Sequence, residues 1–98
     1  MKEEKAMFNR LSTLWKEETK FLSSTSEMFK HPAYLTIIGM GEVALPFIFH
    51  ELQSGPDHWF GALKAITQED PVPPEDRGRI EKMAAHWLKW ANQKGYVK

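Results

Sequence analysis

Two glycines, one residue apart, interrupt the most apolar part of this chain. The stretch 34–44 reads YLTIIGMGEVA. What those glycines do decides the fold class. If the residues before them form a strand, the chain turns toward alternating strands and helices. If they form a helix, the glycines mark a corner between helices. Periodicity favours the second. His31-Pro32 opens a helix, because proline suits a first turn, and Ala33, Tyr34, Leu35, Ile37 and Ile38 follow as its apolar residues. Gly39 is expected to cap that helix, since glycine accepts a positive φ, and Gly41 to start the next helix at a sharp angle.

The same letters fit the G-x-G-x-x-A turn that cradles a dinucleotide. That fold needs a second parallel strand after the helix, ending in an acid about 20 residues on that binds the ribose. Here the place is taken by DHWFGALKAIT, which has helical period. No segment shows convincing strand alternation. No nucleotide is therefore expected at residues 39–44.

The rest of the chain reads as helices. Residues 3–22 carry Met7, Phe8, Leu11, Leu14, Trp15, Phe21 and Leu22 at three- and four-residue spacing, with 1–6 at a fraying end. Glu18 falls inside this stripe, so partial burial with a hydrogen-bond partner, such as an indole N–H, is expected. Ser24 and Glu27 have capping-box spacing for a short second segment. Residues 42–53 are apolar on two sides, with Leu45, Ile48, Phe49 and Leu52 on one and Val43, Phe47 and His50 on the other. Pro46 falls near the first turn, where its missing donor matters least. After the turn QSGPD, Asp57 is placed to cap a helix carrying Trp59, Phe60, Leu63 and Ile66. QEDPVPPEDRG is a stiff connection. The last helix has the stripe Ile80, Met83, Ala84, Trp87, Leu88 and Ala91, with Trp90 at its edge, and Gly95 ends it. The expected fold is all-α, one domain over 1–98 with about five helices.

Thirteen basic and thirteen acidic side chains cancel, so no global attraction to nucleic acid or membrane follows. The charges are unevenly spread: the segment 31–74 has five acids and one base, while 75–98 has six bases and three acids. An internally complementary surface is the simplest reading. The absence of cysteine excludes disulfides and thiolate metal sites and suits a reducing cytoplasm. MKEEKAMFNRL lacks the apolar run of a signal peptide, and no apolar stretch is long enough to span a bilayer. A cytoplasmic location is expected.

No catalytic constellation emerges. Among His31, His50, His58 and His86 there is no H-E-x-x-H, so no metal is expected. His31 and His58 lie at helix starts and His86 on the polar side of the last helix. His50 shares a face with Val43 and Phe47. The serines at 23, 24 and 26 lack a nucleophile elbow and read as a capping turn. Glu18 has no second carboxylate to share acid–base work.

The sequence Gly41, Ala44, Leu45, Pro46, Ile48, Leu52, then Trp59, Ala62, Leu63 and Ile66 resembles a HEAT-type helical repeat over residues 39–67. That resemblance implies a helical hairpin and a scaffold for protein contacts, although a single unit cannot build the long concave surface of an array. HWFGALKAIT, DPVPPEDRG and HWLKWANQKGY, within 39–96, also look like a group of short bacterial proteins, which implies no activity and no site residues.

The expected function is a non-enzymatic protein–protein interaction module with no cofactor, such as a regulatory or antitoxin-like partner of another bacterial protein. Val43, Phe47 and His50 are the candidate contact residues, toward another protein or a second copy. The competing arrangement has the N-terminal helix fold over that face and bury it. The alternative function is a small nucleic-acid-binding protein that uses Arg77, Arg79, Lys82 and Lys89 along the basic C-terminal helix.

Overall fold

The computed structural model describes residues 2–97. Six α-helices follow one another: α1 (Lys2–Thr19), α2 (Thr25–Met28), α3 (Pro32–Gly39), α4 (Leu45–Ser54), α5 (Phe60–Thr67) and α6 (Ile80–Lys94). Short 3-10 turns at Gly41–Ala44 and Pro74–Asp76 lead into α4 and toward α6. No strand occurs among the described residues. The helices form one globule of 32 × 30 × 23 Å.

The glycine pair is a corner. The segment YLTII is helical, and the axes of Pro32–Gly39 and Gly41–Ser54 differ by 110°. The division of labour between the glycines differs from expectation. Gly39 is the last residue of α3 and Met40 caps it in right-handed conformation. Gly41 holds the positive φ, at 67°. A side chain there would strain the left-handed backbone by about 1–2 kcal/mol. No single helix among the described residues is long and apolar enough to cross a membrane.

Helix α1 is helical from Lys2, including the turn expected to fray, and ends at Thr19, three residues before the predicted end. Its buried face is Phe8, Ser12, Trp15 and Thr19. The two hydroxyls are satisfied within the helix: Ser12 donates to the Asn9 carbonyl at 3.1 Å and Thr19 to the Trp15 carbonyl at 2.6 Å. Leu14, Phe21 and Leu22 belonged to the expected stripe but are exposed. Neighbouring helices cover only a limited arc, and the apolar residues of α1 spread wider than that arc.

Helix α3 packs antiparallel on α1, with Trp15 against Tyr34 at 4.8 Å between centroids and Glu18 against His31. Helix α5 packs chiefly on α3, and α4 on α6. Phe8, Trp15, Tyr34 and Trp59 form one aromatic cluster, Trp59 lying 5.4 Å from Phe8 and 4.7 Å from Trp15. Phe49, Trp87, Trp90 and Tyr96 form a second around α6. The predicted faces of α4 and α6 are the buried ones: Leu45, Ile48, Phe49 and Leu52 in α4, and Ala84, Trp87 and Ala91 in α6. Left-handed Gly95 ends α6, and the Tyr96 N–H then reaches the Ala91 carbonyl at 2.8 Å.

The local caps expected for α2 and α5 are not the ones used. Ser24 makes no cap; its hydroxyl bonds Ser26 instead, so the Ser24–Glu27 box is not formed. Asp57 acts one residue early, accepting from His58 N at 2.7 Å. The oxygen that serves α5 comes from Tyr34, which accepts from the Ala62 amide at 2.8 Å and donates to the His58 carbonyl at 3.1 Å. Burial pushes this phenol well above its ordinary range.

Candidate interaction surfaces

The face named by Val43, Phe47 and His50 is split. Phe47 is half-buried beneath α1, its ring 5.6 Å from Phe8, so the N-terminal helix covers it as the competing arrangement required. Val43 stays 42% exposed, and His50 is exposed at the α4 surface. Lys16 of α1 pairs with Glu51 of α4, holding the two helices together on the same side. What remains open is a small polar-edged strip with no anchor residue.

Glu18 is surface-exposed, contrary to the burial expected from its place in the stripe, but it is paired. Its partner is His31 Nε2 at 2.6 Å, while Trp15 donates its indole N–H to the Met28 carbonyl at 2.9 Å. His31 also accepts from Ala33 N through Nδ1 at 3.0 Å and so caps α3. Nδ1 must lack a proton to accept, which places the ring proton on Nε2, facing Glu18. His31 thus acts as an element of helix architecture.

The basic edge is largely answered by the acids before it. Arg77 lies 3.3 Å from Asp70, which also takes Lys64 at 3.7 Å. Asp76 takes His86 at 2.7 Å and Lys82 at 3.9 Å. The His86 hydrogen bond, with the positive charges of Lys82 and Arg79, holds the Asp76 carboxyl below the usual range. Arg79 and Lys89 are exposed. Of these pairs Arg77–Asp70 joins the acidic middle segment to the basic end, while those of Asp76 lie within the end segment; two of the four bases proposed for nucleic acid already face carboxylates.

A further concavity is one the sequence analysis does not anticipate. A groove of about 520 Å³ runs between α2, α5 and the start of α6, walled by Phe29, Phe60, Gly61, Ile80 and Met83, with Thr25, His58 and Lys64 at its edges. Gly61 makes the wall possible. A Cβ there would lie 2.7 Å from Phe29 Cδ2, so only glycine lets that ring lie on α5. Phe29 is fixed on its other side by stacking on Tyr34 at 5.0 Å. The available signals were a glycine inside a helical pattern and a phenylalanine just after the serine-rich turn. Neither falls on an apolar stripe, which is why periodicity passes over both.

A smaller hollow beside the glycine corner, about 250 Å³, joins Glu42 and Glu69 to Trp90, Lys94 and Tyr96. Two of its charges meet one ring: Glu69 accepts from the Trp90 indole at 3.3 Å, and Lys94 lies 5.8 Å above the same ring, while Glu42 is exposed. The two histidine–carboxylate pairs, Glu18–His31 and Asp76–His86, contact no hydroxyl nucleophile by hydrogen bond among the described residues. Compared with protein-family models, curated proteins and solved structures, the chain matches none of them.

Proposed function

We propose that the chain is a non-enzymatic protein-binding module that receives an apolar side chain of another protein in the groove between α2, α5 and α6. The observation that carries this reading is the lining of that groove. Phe29, Phe60, Ile80 and Met83 present apolar surface to an open hollow of about 520 Å³. Partly open apolar hollows of this kind suit an aromatic or aliphatic anchor from a partner. Thr25, His58 and Lys64 at the edge suit the polar rim that surrounds such an anchor. A regulatory role in a bacterial cytoplasm, antitoxin-like neutralisation included, is compatible with a small module of this type. The HEAT-like run through 39–67 points the same way, because such helical units serve protein contact.

Ile80 is the position for a test, because an aspartate in the first turn of α6 is favourable for the helix while placing charge in the groove. Wild type and Ile80→Asp, both checked for folding by circular dichroism, would be used for affinity capture from native lysate with mass spectrometry. A protein captured by wild type and lost with Ile80→Asp is the expected result. Equal capture by both, or no specific capture by either, would overturn the groove assignment. A salt-sensitive gel shift abolished by changing Arg79 and Lys89 would instead support the nucleic-acid alternative.

A further inference from the structure

Helix α1 carries a second rhythm on its solvent side. Phe8, Ser12, Trp15 and Thr19 face inward. Met7, Arg10, Leu14, Glu17 and Phe21 recur at alternating three- and four-residue steps on another side, the spacing of a helix-pairing seam. The seam alternates apolar and charged residues. Leu14 is 44% exposed and Phe21, just past the helix end, 92%.

Read in reverse, this seam is its own complement. Met7 and Phe21 stand equally far from Leu14, one on each side, and the bases and acids exchange places, Arg10 falling where Glu17 had been to within one residue. An antiparallel pair of such helices sets leucine on leucine and arginine against glutamate twice over. A parallel pair would set arginine on arginine. A foreign partner would require no such symmetry. We propose that this seam is the contact of a homodimer. In it α1 packs antiparallel on α1 of a second copy, with Leu14 on the twofold axis and Arg10 of each chain against Glu17 of the other, which gives up its exposed 3.8 Å contact with Lys20 of its own chain. The contact is one helix wide, at the small end of specific interfaces, so the dimer is weak and reversible. It shares no residue with the groove, and the two sites can be occupied together.

Sedimentation equilibrium over a wide concentration range tests the dimer. Leu14→Asp should raise the dissociation constant about tenfold or more. Arg10→Glu and Glu17→Arg should each weaken association, and the double exchange should restore it, which a merely apolar contact would not do. The chain has no cysteine, so Leu14→Cys supplies a single thiol on the axis. With oxidised glutathione as oxidant it should form a disulfide between two chains far faster than Glu81→Cys on α6. A chain monomeric at every concentration, a dimer indifferent to Leu14→Asp, or a charge exchange that fails to restore association would each overturn the proposal. The charge variants lie on exposed side chains and keep the test informative should Leu14→Asp fail to fold.

Discussion

Asp76 gathers His86, Lys82 and Arg79 around one carboxylate, and its proton affinity in the folded chain is lowered accordingly. The unfolded chain therefore takes up this proton at higher pH than the folded one. The stabilisation is complete above the ordinary carboxylate range and disappears as pH falls through the depressed value. Denaturation midpoints of wild type and Asp76→Asn should differ at neutral pH and converge on acidification; a constant difference would mean the carboxylate charge is not what matters. This pairing is not what the segment charges suggest, since Asp76 belongs to the basic end itself and its partners Lys82 and His86 follow it within the same segment. Glu18 is not legible either. Its spacing places it in an apolar stripe, yet its partner, His31, stands on a different helix, and only the α1–α3 register brings the two together. His50 likewise shares a helical side with Phe47 but not its burial: the Phe8 ring of α1 lies against Phe47, while His50 is exposed.

At the scale of elements, α5 shows what local signals can and cannot do. It is eight residues long and has no side-chain cap from its own N-cap residue, Trp59. Helices this short are marginal in isolation. Its start is completed by the Tyr34 hydroxyl, which joins the Ala62 amide to the His58 carbonyl. Tyr34→Phe keeps the ring stack on Trp59 and removes only that oxygen. It should cost about 1–3 kcal/mol in chemical denaturation, the penalty for leaving buried polar groups unpaired. A change near zero would mean that water replaces the hydroxyl. Where burial follows a single helical stripe, as in α4 and α6, periodicity identifies the inward residues. In α1 it marks too many, because sequence spacing says which residues are apolar but not how wide an arc the neighbouring helices cover. Leu14 and Phe21 are outside that arc.

For the whole molecule, α1 is the clamp. It reaches α3 through Trp15, α4 through Phe8 on Phe47 and Lys16 with Glu51, and α2 through the Trp15 indole. Phe47→Asp should therefore lower the stability of the entire domain by about 1–3 kcal/mol in a single transition, since a charge enters the seam between two helices. Unchanged melting with altered association would return Phe47 to the role of a surface anchor. The all-α class, the corner at the glycines and the order of helices are legible because they depend on neighbours in sequence. The groove is not, because Phe29, Gly61 and Met83 meet only after three separate segments have packed.

The aromatic cluster has a consequence for how the chain emerges during synthesis. Phe8, Trp15 and Tyr34 leave the ribosome well before Trp59, yet Trp59 lies against all three. The oxygen that starts α5 is likewise in place before α5 exists. The nascent first half can pair α1 with α3, but it must wait with an open slot between their rings until residue 59 arrives to fill it. During that interval the slot is exposed apolar surface, which is where a chaperone would bind the unfinished chain.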